Sequence, residues 1–276
     1  MAVAALRSHE CDTAVSGGNN IITGSDMSSG LSRGSFLSPT GPCKTFDNDA
    51  DGYCRGEGVG TVILKRLDDA LAEGDNIQGV IKSAATNHSA YASSITHPHA
   101  GAQQSLMRQV LRDAHLEADD IDYVEMHGTG TQAGDATEFT SVTNVLSGRS
   151  RNNPLHVGAI KANVGHAEAV RLDCSPFTLD PCTNIVQAAG INSLTKVLLM
   201  MRNNAIPPHV GIKGRINEKF PPLEQVNVCI NRALTPFKPQ SGGNGKRRVL
   251  LNNFNATVSS IPILNRRATH ETCAGR

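Results

Sequence analysis

The 276-residue sequence has no tryptophan, no C-x-x-C pair, no surplus of either charge and no apolar run of bilayer length. Lysine plus arginine is 26 and aspartate plus glutamate 25, a formal net charge of +1. No global basic field therefore draws the chain to nucleic acid or to an anionic membrane. The longest strongly apolar run, Val197 to Met201, is far below the about 20 residues of a spanning helix. Near the start, Arg7 interrupts Ala2–Leu6 too early for a signal-peptide core. The seven cysteines, at 11, 43, 54, 174, 182, 229 and 273, are odd in number and unpaired in pattern. Neither a disulfide framework nor a metal site is expected; reduced thiols in a cytoplasmic protein are the plain reading.

Hydrophobic residues make up 39% of the chain and charged ones 18%, a globular composition and not a disordered one. Residues 2–7 read as the end of a helix and 12–18 as a short buried strand. Residues 24–57 are rich in Gly, Ser, Asp and Pro and read as mostly loop. Further strands are expected at 58–67, 77–85, 121–126, 155–160, 226–230 and 248–251. Helices are expected at 68–73, over 102–115 and from Asp135, where Asp135-x-x-Glu138 has a capping-box pattern and Phe139, Val142 and Leu146 form a stripe. Residues 191–201 are apolar nearly all round and read as a buried helix. Strands alternating with helices indicate α/β layers.

Two motifs follow strands directly. Glu125-Met-His-Gly-Thr-Gly-Thr131 leaves the strand 121–126, and Lys161-Ala-Asn-Val-Gly-His166 leaves the strand 155–160. Loops at the C-terminal ends of strands are where α/β sheets keep ligands. The glycines would let backbone approach a ligand, and the threonines can hydrogen-bond it. Each histidine alone reads more often as a solvated or core-capping residue; the pair at matched positions raises a catalytic pair in one pocket to an equal reading.

With Phe46-Asp-Asn-Asp-Ala-Asp-Gly-Tyr-Cys-Arg-Gly-Glu-Gly-Val-Gly60 and Gly134-Asp135, these motifs resemble the β-ketoacyl synthase (ketosynthase) domain of type I polyketide synthases. Ser94-Ile-Thr-His-Pro-His-Ala100, Leu31 to Pro39 and Leu251-Asn-Asn-Phe-Asn255 resemble the iterative, non-reducing fungal branch. The resemblance covers residues 1 to about 256. It implies a thiolase-like αβαβα fold, here incomplete. Residues 1–80 would be the end of the first half and 81–256 most of the second.

The activity implied is decarboxylative Claisen condensation in polyketide biosynthesis. A cysteine takes an acyl chain from the phosphopantetheine of an acyl carrier protein, and the enolate of a malonyl unit attacks it. His127 and His166 match the two catalytic histidines and Lys161 the site lysine. Thr129 and Thr131 match residues that hold the pantetheine and the loop; Asn163 and Phe254 are further substrate-side matches. Glu57, Asp135 and Glu138 are supporting carboxylates, Glu57 and Glu138 as partners for Lys161 or as surface and capping groups. His97 and His99 read as loop or interface residues, and Cys43 and Cys54 as inert thiols. No cofactor is bound directly. The family implies a homodimer, with no nucleic-acid or membrane partner.

The chain departs from the family pattern at four places. Ala136 stands where proline is usual. The nucleophilic cysteine is expected just before Met1, so condensation by this chain is not expected, and Cys11 lies past the helix concerned. The eighteen residues Val170 to Gln187 have no period and carry Pro176 and Pro181 where a continuous helix is expected. Removing them joins Ala169 to Ala188. A retained intron fits: Val170 can supply a GT donor, Thr183-Asn184 a branch point and Gln187 a CAG acceptor. A surface loop is the alternative. From about residue 257 the family's Gly-Gly-Asn turn is missing, so 257–276 reads as a poorly ordered, non-family tail. The rival functions are a non-catalytic, chain-length-factor-like partner and a fatty-acid-type synthase. The intact His-Gly-Thr-Gly-Thr signature argues against the first, and Ser94–Ala100 against the second.

Overall fold

The computed structural model describes residues 1–88, 92, 98–168, 188–239 and 245–254, and the backbone of 258–265. The elements in order are α1 (Ala2–Arg7), β1 (Thr13–Asn20), α2 (Asp26–Arg33), β2 (Gly58–Lys65), α3 (Leu67–Ala72), β3 (Val80–Ile81), β4 (Ala85–Asn87), α4 (Ala100–Ala114), β5 (Tyr123–Glu125), α5 (Gln132–Val145), β6 (Leu155–Gly158), α6 (Lys161–Val164), α7 (Ala188–Asn203), β7 (Ala205–Ile206), β8 (Val228–Ile230), β9 (Thr235–Pro236), β10 (Arg247–Phe254) and β11 (Val258–Asn265).

The main sheet runs β3-β11-β10-β5-β6-β8, with β4 also paired to β11. Its centre is parallel: β10 pairs β5, β5 pairs β6 and β6 pairs β8. Alternation along these strands sorts their side chains to two faces. Val124 and Leu250 join Met107, Val110, Phe139 and Val142 of α4 and α5 in one core. Tyr123, Val249 and Leu251 face the other way, onto Val197, Met200 and Met201 of α7. On its far side α7 meets the two-stranded ribbon β1–β2, where Ile191 fits against Gly60 so closely that a Cβ there would lie 2.1 Å from Ile191 Cγ2. The layers are thus α4/α5, main sheet, α7, ribbon.

The stripes expected on α4 and α5 are buried as read: Leu106, Val110, Leu111 and Ala114, and Phe139, Val142 and Leu146. Several other expectations are corrected. α5 begins at Gln132, not Asp135; its N-cap is Thr131, whose Oγ1 accepts from Gly134 N at 3.2 Å. The capping-box carboxylates are therefore spent elsewhere. α7 is not buried all round, since Leu199 is half exposed. β1 and β2 are not buried strands: Val15, Val59 and Ile63 on the ribbon's outer face are exposed. The 24–57 stretch contains a helix, α2.

The tail expectation also changes. The backbone of Val258–Asn265 is β11, antiparallel to β10 in register Phe254↔Val258 to Arg247↔Asn265. This backbone pairs on both sides, with β10 on one and the short strands β3 and β4 on the other, so loss of the glycine turn does not keep it out of the sheet. Residues 257 and 266–276 lie outside the described residues, as do 170–187 and His97.

Candidate active site

Parallel pairing of β5 with β6 in the register Glu125↔Gly158 puts the loops after both strands side by side. β10 lies on the other side of β5, with Leu251 opposite Glu125, so Asn253 and Phe254 reach the same end. His127 and His166 meet there with ring centroids 5.2 Å apart and planes at 89°. Lys161, at the start of α6, is buried beneath them, and its Nζ has no hydrogen-bond partner among the described residues.

The segment read as loop is what braces this end of the sheet. Thr45 Oγ1 donates to Gly128 O at 2.8 Å, and Gly52 N donates to Gly130 O at 3.1 Å. His166 N donates to Cys54 O, and Gly56 N to His166 O. Two glycines of the histidine loop are required by this packing. At Gly128 (φ +46°) a Cβ would lie 2.6 Å from Ala159 Cβ, and at Gly130 (φ +84°) 2.9 Å from Lys44 N. Their close approach is to the chain itself, not to the ligand the sequence suggested.

The supporting carboxylates hold the loop through backbone amides. Glu138 accepts from His127 N at 2.8 Å and Gly128 N at 3.0 Å, and Asn252 Nδ2 adds a third contact at 3.3 Å. Asp135 accepts from Phe46 N at 2.9 Å and Gly130 N at 3.1 Å. Burial pushes both carboxyls up, Asp135 to about 6, against the pull of these amides. Burial pulls the Lys161 amine down, while Glu138, Glu125 and Asp135 push it back up. Glu57 does not join them: it is exposed, and its Oε1 accepts from Ile22 N.

Both imidazoles are held well below the ordinary 6.5, first by burial and then by the Lys161 charge. At neutral pH they are uncharged. Phe254 N donates to His127 Nδ1 at 3.1 Å, while Asn253 Oδ1 lies 3.3 Å from the same nitrogen. The backbone amide, the nearer of the two, can only donate, so it claims the Nδ1 lone pair and the ring proton belongs on Nε2. The Phe254 ring lies 5.8 Å from the His127 ring. Thr129 and Thr131 have their hydroxyls 3.3 Å apart in the loop, Thr131 also capping α5. Asn163 is exposed on α6. His99 is a loop residue whose Nδ1 accepts from Ala102 N and caps α4.

Sequence reasoning missed three neighbours. Tyr53 packs edge-on to His166 at 5.2 Å, and its hydroxyl donates to Glu168 at 2.5 Å. Glu168 Oε2 lies 3.7 Å from His166 Nε2. Glu125, taken only as the start of a motif, is fully buried behind the site. Tyr53 sits inside the quoted 46–60 motif and Glu168 two residues past the 161–166 motif, which was the available signal. Burial pushes the Cys43 thiol up to about 11, which fits the inert thiol expected there. Among the described residues, no three His, Cys, Asp or Glu side chains cluster to hold a metal, and no helix is long and apolar enough to cross a membrane.

Two neutral imidazoles thus lie over a buried lysine at the C-terminal edge of a layered, thiolase-like α/β sheet. The first 70 residues match the β-ketoacyl synthase N-terminal domain, and residues 78–171 match its C-terminal domain. The chain belongs to the β-ketoacyl synthase family. Over 264 residues, 96% of its length, it is 74% identical to the non-reducing polyketide synthase crz7 of Cladonia metacorallifera. It is 53% identical over 269 residues to Preu8 of Preussia isomera. It spans 12% of each of these relatives. The ketosynthase from module 6 of the Bacillus subtilis bacillaene synthase superposes with a TM-score of 0.84 at 30% identity, over 96% of this chain and 44% of that one. An oxazolomycin ketosynthase domain of Streptomyces albus gives 0.83 at 30%, over 95% and 44%.

Proposed function

We propose that this chain supplies the decarboxylating half of a ketosynthase centre in an iterative, non-reducing polyketide synthase. The observation that carries this is the neutral His127–His166 pair over Lys161. When a malonyl thioester loses carbon dioxide, its carbonyl oxygen takes up negative charge. Fixed N–H donors in a site shielded from water stabilise that charge, each by about 10²–10³-fold in rate. His127 Nε2–H is such a donor, with its tautomer set by the Phe254 amide. His166 is the second, and the Lys161 cation adds a favourable field. Thr129 and Thr131 would steady the phosphopantetheine arm of an acyl carrier protein, with Asn163 and Phe254 further along the acyl path. The enzyme would be an acyltransferase, cytoplasmic and homodimeric as the family resemblance implies.

Condensation also needs a thiolate that accepts the acyl chain. Cys43 is close enough to Lys161 to feel its charge, but burial pushes its thiol the wrong way, so it does not take that role. The 276 residues alone are therefore expected to decarboxylate malonyl-carrier slowly and to form no condensation product. The assay is carbon dioxide release, with H127A and H166A as controls. Release no faster than buffer from folded protein would refute the proposal. Co-purification with an active ketosynthase, with no release, would favour the partner-subunit alternative.

The C-terminal family match ends at residue 171, which supports reading Val170–Gln187 as additional to the domain. Sequencing the spliced transcript tests this; retention of those codons would refute the intron.

A further inference from the structure

We propose that Glu125 is a positioning residue for Lys161 and His127, working as one half of a buried ion pair with Lys196. The side chain leaves β5 on the α7 face and is fully buried. Its Oε2 accepts from Lys196 Nζ at 2.6 Å and from Tyr123 Oη at 2.9 Å. Its Oε1 accepts from Ile160 N at 2.7 Å. Ile160 immediately precedes Lys161, and Glu125 lies two residues before His127. One carboxylate thus joins the strand that carries His127, the turn that carries Lys161 and helix α7.

A buried ion pair is poor evidence for stability by itself, because desolvation offsets much of the attraction. Here the second oxygen goes to the one amide that fixes where α6 and its lysine begin. The charge of Glu125 also reaches Lys161, whose other charged or titratable neighbours are Glu138 and Asp135 on α5, Cys43 in the bracing loop and the two histidines. With Lys196 in place the pair is close to neutral. Lys196 therefore decides how much of the Glu125 field Lys161 feels.

That gives a signature that a simple structural clamp lacks. The measurement is the proton affinity of the Lys161 amine, from a pH titration of its ¹⁵Nζ resonance in the full chain by NMR. E125Q should lower it by about one pH unit, because the anion goes and Lys196 remains. K196M should raise it by about one pH unit, because the anion is left unbalanced. E125Q/K196M should return close to the parent value, and K196R should leave it unchanged. Shifts of the same sign in both single variants, or none in folded protein, would overturn the proposal. K196M decides alone if E125Q does not fold. A cavity of about 720 Å³ lined by Ile160, Val164, Leu199 and Met200 borders Lys196 and gives methionine room. The proposal uses the ketosynthase reading only to give Lys161 its importance. The amine is measured without turnover, so a failure here leaves the carbon dioxide test of the histidines intact.

Discussion

Replacing Asp135 by asparagine should flatten the pH dependence of folding. In the folded chain this carboxyl is buried between the histidine loop and Phe46, and burial pushes it from 3.8 to about 6 despite two amide donors. Its affinity for a proton is therefore higher in the folded than in the unfolded state. Between those values the folded chain holds a proton that the unfolded chain has released, so stability falls as pH rises. The contribution is fully present below the unfolded value and is lost as pH climbs through the folded one. At about 1.4 kcal/mol per pH unit, the loss is about 3 kcal/mol. Glu138 shifts in the same direction through burial and the Asp135 charge, so part of the slope survives in D135N. Asparagine adds a constant cost of about 1–3 kcal/mol, since its amide nitrogen must face one of the two donors. Urea unfolding near pH 4 and near pH 7 separates the two effects. The parent should lose about 2.4 kcal/mol more than D135N across that interval, since at pH 4 the unfolded carboxyl is already partly ionised. Equal slopes, whatever the offset, would refute the assignment of a raised carboxyl at Asp135.

Three further outcomes are expected. In ¹⁵N-detected spectra His127 should show the neutral Nε2–H tautomer at pH 6.5, held by the Phe254 amide; an imidazolium at that pH would contradict the burial argument. G128A should cost at least about 2 kcal/mol in chemical denaturation, because φ of +46° and a contact at 2.6 Å must both give way. F139A should cost about 3–5 kcal/mol, since this buried ring stacks on Phe220 at 4.0 Å, and a loss under about 1 kcal/mol would mean the α5 face is not the core described.

Side-chain type and spacing determined a good deal by themselves. The 3.6-residue stripes of α4 and α5 were legible because amphipathic helices must bury one face. The convergence of His127, Lys161 and His166 on one sheet edge was legible because their motifs sit where strands end. The resemblance to ketosynthases rested on those residues in order, and the family matches agree with it. Helix and strand boundaries were less legible. Asp135 and Glu138 look like a capping box locally, yet Thr131 caps the helix and both carboxylates turn inward to backbone amides.

Only the tertiary structure decided how these parts meet. Parallel register set β10, β5 and β6 side by side, which brought Phe254 N to His127 Nδ1 across 127 positions of sequence. Folding likewise placed the 43–56 loop under the histidine loop and exposed Glu57 while burying Glu125. No local pattern carries those choices, because a carboxylate's partner depends on which element packs against it. Burial also decided the state of Cys43, which no local pattern shows: it lies near Lys161, yet its thiol is driven away from the thiolate form.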